Sequence, residues 1–251
     1  YLTLELSTEG TPGHSSSPPR QTAIGILASA LARIEATPMP SNTDYICQLY
    51  RWVGNSASLL YRLAFANLWL SGGIIKRLLS DSPKTNAIIR TTAAATVISG
   101  GIKDNILPSE AAAKVNLRLL PGDSMEKVIQ RIEKVIDDKR VKVRKTDDGA
   151  WNASKNSSTD SKVFKNLERT VHQMFEGIVL APYLMTGATD SRHYTQICDN
   201  VYRFTPIELE PADLSTVHGI NERIAVDSLE KMVQFFIQII RVWATEDESG
   251  S

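Results

Sequence analysis

The chain has 251 residues, 42% of them hydrophobic, and its 28 basic residues balance 28 acidic ones. That length and apolar content predict one large or two modest domains with real cores, which excludes a wholly disordered chain. Electroneutrality speaks against nucleic acid or an anionic membrane as the main partner, while leaving a local patch open, and no apolar run reaches the ~20 residues that span a bilayer.

Leu2, Leu4 and Leu6 alternate with Thr3 and Glu5, the pattern of a half-buried strand. The chain enters this strand at once from Tyr1, with no signal-peptide pattern, as a piece beginning mid-protein would. A glycine- and proline-rich loop follows, Gly10-Thr11-Pro12-Gly13-His14-Ser15-Ser16-Ser17-Pro18. Ser17 before Pro18 predicts a helix start, with Ile24, Leu27, Leu31 and Ile34 on one face. Thr37-Pro38 ends that helix. Residues 43–90 read as a helical insertion. An apolar patch from Leu59 to Leu70 breaks at Gly72-Gly73, and a second short helix covers Ile74–Leu79. This patch either packs on a neighbour or forms the rim of a lid.

Thr91 to Ile98 is strand-compatible, and residues 103–108 make a turn. The next strand is clearer: Ala111, Ala113, Val115, Leu117 and Leu119 line one face, Lys114, Asn116 and Arg118 the other. A helix starts at Asp123 or Ser124, with a capping box to Glu126 if Asp123 is the cap, and buries Val128, Ile132 and Val135. Val141 and Val143 mark a last strand. Strand, helix, insertion, strand, strand, helix, strand is the order of a ferredoxin-like βαββαβ sandwich.

Residues 147–160 are polar and read as a linker. Beyond them Val163, Leu167, Val171, Met174 and Phe175 predict a helix, Ile178–Met185 and Val201–Phe204 strands, and Thr186–Arg192 a loop opening a short helix. Val226, Leu229, Val233, Phe236, Ile240 and Trp243 fall on one stripe of a long final helix, followed by an acidic, fraying tail. Helices alternating with strands imply part of an α/β layer. His218, before Gly219 and ahead of Glu222 and Arg223, is a metal-ligand type in a polar loop, but one imidazole is not a site.

Four segments in order carry a family resemblance: Gly10–Ser16, Asn105–Arg118, Gly187–Arg192 and His218–Arg223. With them the chain resembles the cocatalytic-zinc aminoacylase, carboxypeptidase S and carnosinase family of metallopeptidases. Thr85–Thr92 and Tyr202–Pro206 point to its branch of Gly-Xaa carboxypeptidase and N-fatty-acyl-amino-acid synthase/hydrolase.

The resemblance implies an α+β ferredoxin-like lid and dimerisation domain over residues 1–148, with the insertion at 43–90. Residues 149–251 would be the C-terminal part of an α/β zinc-peptidase catalytic domain. It implies hydrolysis of the amide bond of an N-acyl amino acid or dipeptide beside a free carboxylate, with two zinc ions activating water. In that scheme His14 donates to the oxyanion, often in the active site of the partner subunit of a homodimer. Arg118 grips the substrate carboxylate, supported by Asn105; Thr189 contacts substrate; His218 is a zinc ligand. Asp190 is a cap or supporting residue, and His172 and His193 are structural. The remaining ligands and the glutamate base fall in a half absent from this sequence, so the chain alone is expected to be inactive. The competing expectation is a dimerisation or binding module that has lost the chemistry.

Overall fold

A computed structural model describes residues 1–147, 149–187, 189–210, 213 and 216–247, the side chains of 245–247 aside. The end of the acidic tail and position 188 of the 186–192 loop lie outside the described residues. The chain divides into two compact units. One comprises 1–50, 57–154 and 186–188, the other 51–56, 155–185 and 189–251.

The first unit is built on a four-stranded antiparallel sheet. β1 (Leu2–Glu9) pairs with β5 (Glu110–Arg118) and with β6 (Val141–Lys145), and β3 (Thr92–Gly100) pairs with the far side of β5. The order β3-β5-β1-β6 is that of the ferredoxin-like sandwich. Alternation dictates the faces: Leu2, Leu4, Leu6, Ala111, Ala113, Val115 and Leu117 are all buried against one layer of helices. That layer is α1 (Ala23–Ala36) and α6 (Met125–Ile136).

The start of α1 differs from the sequence reading, and that of α6 falls on the second of its two alternatives. α1 begins at Ala23, where Thr22 Oγ1 accepts from the Gly25 N–H at 3.1 Å; Ser17 does not cap it. A hydroxyl can cap only if its residue directly precedes the first turn, and residues 15–22 stay in turns and bends. α6 is capped by Ser124, because the Asp123 carboxylate is taken by the Thr91 hydroxyl at 2.5 Å. Its third buried residue is Ile136, with Val135 only partly covered.

Between α1 and β3 lie four helices: α2 (Asp44–Val53), α3 (Leu59–Ala66), α4 (Leu68–Asp81) and α5 (Pro83–Ile89). α4 runs unbroken through Gly72-Gly73. Each glycine costs a helix about 1 kcal/mol relative to alanine, but neither removes a hydrogen bond. The loop after β1 holds a short strand, β2 (Gly13–His14), paired with β4 (Ile106–Leu107).

In the second unit α7 (Lys162–Met174) and the last helix, α9 (Val226–Asp247), share a small core of Leu167, Val171, Phe235 and Ile239. Between them α8 (Ser191–Tyr194) is one turn. Residues 178–185 and 201–204 form no strand; the Val201 N–H donates to the Ser157 hydroxyl at 2.8 Å, a side-chain partner in place of a backbone ladder. On α9 the stripe read from sequence points outward: Val226, Val233 and Ile240 are 80%, 54% and 63% exposed, and Phe235 and Ile239 are buried instead. The helix is apolar on two faces, and α7 occupies the narrower one.

Candidate functional site

His14 sits in the β2–β4 ribbon, where its register partner is Ile106. Its Nδ1 accepts from the Ser16 backbone N–H at 3.2 Å and lies 2.9 Å from the Ser16 hydroxyl. An Nδ1 that accepts from an amide cannot carry the proton of the neutral ring, so the proton is on Nε2. No described residue hydrogen-bonds Nε2, and the side chain is exposed. The imidazole is thus presented as a donor with a fixed tautomer. Ser16 sets that tautomer, and sequence reading gave it no role; a serine two residues after a histidine was the available local signal.

Asn105 is next to His14. Its carbonyl accepts from the Ser15 N–H at 3.1 Å, which closes the ribbon. Cross-strand partners point to the same side of a ribbon, so Ile106 flanks the imidazole. Ile106 also lines an open cavity of about 450 Å³ with Ile24, Ile102, Leu107 and Pro108.

Arg118 ends β5 at the opposite end of the sheet. Its Cζ stands 4.8 Å from the centroid of the Tyr1 ring, which in turn stacks on Trp151. No described residue hydrogen-bonds the guanidinium, so its planar fork is oriented by the ring and open at its edge. β5 runs from Glu110, next to the ribbon, to Arg118. Eight steps at ~3.4 Å put roughly 27 Å between those ends. Within one chain, therefore, the structure brings His14 and Asn105 together and holds Arg118 away from both. Asn105 does not support Arg118 in its own subunit, as the sequence reading expected. Spacing along a sequence does not say at which end of a sheet a loop returns.

Thr189 precedes α8. Its hydroxyl meets that of Ser191, and Arg203 Nε donates to both, at 3.3 Å to Thr189 and 2.5 Å to Ser191. Arg203 is a second residue to which sequence reading gave no role. Its contacts lie 12 and 14 residues away and leave no periodic trace. Asp190 stands at the N-cap position of α8 in a helical conformation and makes no side-chain cap bond. His193 Nε2 accepts from Arg192 at 3.1 Å, and His172 is an exposed residue of α7.

His218 occupies an exposed turn at φ 60°, and Asn221 is likewise left-handed at φ 63°. Such a conformation in a non-glycine residue costs on the order of 1–3 kcal/mol and marks functional turns more often than others. The turn is held by Gly219 N–H donating to the Thr216 carbonyl at 2.8 Å and Thr216 N–H to the Asp213 carbonyl at 3.0 Å. Arg223 Nε lies 3.7 Å from Asp213 Oδ1. A zinc ion takes about four ligands. Among the described residues no three His, Cys, Asp or Glu side chains gather in one place, so His218 offers one ligand and the chain does not fit a metal ion alone.

Residues 1–144 match the profile of the M20 peptidase dimerisation domain. Over 240 residues the chain is 40% identical to a probable carboxypeptidase S-like 2 of Dictyostelium discoideum, covering 96% of this chain and 46% of that protein. It is 38% identical over 243 residues to the N-fatty-acyl-amino acid synthase/hydrolase PM20D1 of Xenopus tropicalis, covering 96% and 47%. The chain thus spans about half the length of these curated relatives. Its fold superposes on an M20 family metallo-carboxypeptidase, Sso-CP2 of Sulfolobus solfataricus, with a TM-score of 0.56 at 16% identity, over 96% of this chain and 58% of that one.

Proposed function

This chain belongs to the M20 peptidases, and on that premise we infer that it supplies the substrate-gripping and oxyanion-stabilising groups of an amidohydrolase acting on N-acyl amino acids or dipeptides. The family is metal-dependent, and we take the metal to be zinc. His218 contributes one nitrogen, and the other ligands and the general base belong to the rest of the protein.

One observation carries the reading: a tautomer-fixed imidazole donor and an unpaired guanidinium stand at opposite ends of one sheet. Arg118 offers two parallel N–H groups to a carboxylate, the recognition expected for a substrate with a free carboxyl group. His14 Nε2–H, with the Asn105 amide beside it, suits the negative oxygen that forms when an amide carbonyl is attacked. A substrate places its carboxylate and its scissile carbonyl only a few bonds apart. Two ends separated by roughly 27 Å cannot serve one substrate from one subunit. Two copies of the lid resolve this, with Arg118 of one subunit and His14 of the other meeting at each substrate. Thr189, oriented by Arg203, adds a hydroxyl for substrate contact.

β3 is the natural dimer surface. It is an edge strand whose residues from Ala95 to Gly100 are exposed, with Val97 and Ile98 at 53% and 61%. A flat exposed edge is a template for pairing with another chain. The outward stripe of α9 fits the same account, as the surface on which the remainder of the α/β layer packs.

The test is to express the complete protein and measure release of free amino acid from N-acyl amino acids and dipeptides. Turnover that falls at least tenfold in His14→Ala supports the reading. A metal-loaded complete protein that cleaves neither substrate class refutes it.

A further inference from the structure

We propose that α3 and α4 form a docking surface for an anionic lipid surface, lying in its headgroup layer without crossing it.

The two helices have one covered side and one bare side. Inward, Phe65 stacks on Tyr50 at 3.9 Å between centroids, and Ile75 is 7% exposed. The Ser71 hydroxyl donates to the Ala64 carbonyl at 2.5 Å and the Asn67 carbonyl at 3.0 Å, tying α4 to α3. Outward, Leu70, Ile74 and Leu78 recur every fourth residue of α4 at 71%, 66% and 64% exposure, with Trp69 beside them at 85%. On α3 Leu59, Leu60 and Leu63 are 69%, 76% and 55% exposed. Side chains added at Gly72 or Gly73 would meet nothing within 4 Å. Apolar surface of this extent marks a partner site in a soluble domain.

Charge selects the partner. The whole chain is neutral, yet α3 and α4 together carry Arg62, Lys76 and Arg77 against a single carboxylate, Asp81, at the end of α4. All three cations are exposed. A bare leucine-rich face with an outward tryptophan and tyrosine, Trp69 and Tyr61, accompanied by an excess of cations, is the composition of a helix pair that lies in a bilayer interface. Aromatic rings prefer the headgroup level, and lysine and arginine meet anionic lipid there. α4 has 14 residues. At 1.5 Å per residue it is about 21 Å long, short of the ~30 Å hydrocarbon core. No described helix is long and apolar enough to cross a membrane. The proposal does not depend on the hydrolase reading.

The experiment is co-flotation of the complete protein with 100 nm vesicles of phosphatidylcholine, with and without 30 mol% phosphatidylserine. The variants are Leu70→Glu/Ile74→Glu and, as a pair that disturbs no packing, Arg62→Glu/Lys76→Glu. The expected result is binding to the phosphatidylserine vesicles at least tenfold stronger than to phosphatidylcholine alone. Both double variants should lose at least tenfold of it, while turnover of a short water-soluble N-acetyl amino acid, where present, stays unchanged. Absence of flotation, or equal flotation of the variants, overturns the proposal. So does a dimer-to-monomer shift of Leu70→Glu/Ile74→Glu without vesicles, which would make this face a contact between copies. Slow maleimide labelling of Trp69→Cys relative to Cys198 would place the face under the rest of the protein and overturn it as well.

Discussion

Replacing Arg118 separates carboxylate recognition from every other role of the strand. Its guanidinium lies over the face of Tyr1, and no described residue hydrogen-bonds it. An exposed cation–π pair is worth about 0.5–1 kcal/mol, so Arg118→Ala should lower the melting temperature by no more than a few degrees. Its effect on substrate is larger. Charge-assisted hydrogen bonds contribute about 1.5–3 kcal/mol, and Arg118 is exposed in this chain, so we count one such contribution for the fork. At 1.36 kcal/mol per decade this predicts a loss of roughly 10- to 150-fold in kcat/KM for an N-acyl amino acid, mostly through KM. Arg118→Lys keeps the charge without the planar fork and should recover only part of the loss. The assay compares the free acid with its methyl amide, whose carboxylate is masked. Wild type and Arg118→Ala should differ little on the masked substrate. An equal loss on both substrates would refute the assignment.

Leu117 is fully buried in the lid sheet, and Leu117→Ala should cost about 2–5 kcal/mol in urea unfolding of the lid. Asp138 accepts from the Arg140 side chain at 2.9 and 2.6 Å and from its N–H at 3.0 Å, which hold its carboxyl down to about 2. A depressed carboxylate adds stability above its unfolded value near 4, and that stability is lost as pH falls toward about 2. The melting temperatures of wild type and Asp138→Asn should therefore differ at pH 6 and converge near pH 2; a gap that persists in acid contradicts the pairing. Long-range nitrogen–proton NMR should show neutral His14 as the Nε2–H tautomer, and an Nδ1–H ring would remove it as the fixed donor.

The lid was legible because its two central strands, β1 and β5, alternate cleanly. Leu2, Leu4 and Leu6 and the odd residues from Ala111 to Leu117 declare one buried face, and two such strands, flanked by two more and followed by two helices, leave few ways to pack. The helix starts were less legible. Any hydroxyl before a proline resembles a cap, and the choice of Thr22 over Ser17, or Ser124 over Asp123, depends on contacts elsewhere. The stripe on α9 was visible, but periodicity names a face and not what covers it. Residues 178–185 and 201–204 have strand-like composition, and composition cannot supply a neighbouring strand. The candidate site shows the same limit. The residue types at 14, 105, 118, 189 and 218 could be picked from motifs. That His14 and Asn105 share one end of the sheet while Arg118 holds the other depended on the register of β1, β4 and β5.

The most direct test of the account is a mixed dimer of the complete protein, one subunit carrying His14→Ala and the other Arg118→Ala. If each substrate meets Arg118 of one subunit and His14 of the other, a mixed dimer keeps one intact site of two. With half the dimers mixed, an equimolar co-expressed sample should recover about a quarter of wild-type turnover, although each variant alone is nearly inactive. Mixed dimers that form, as shown by co-purification on two different tags, yet recover no activity would contradict it.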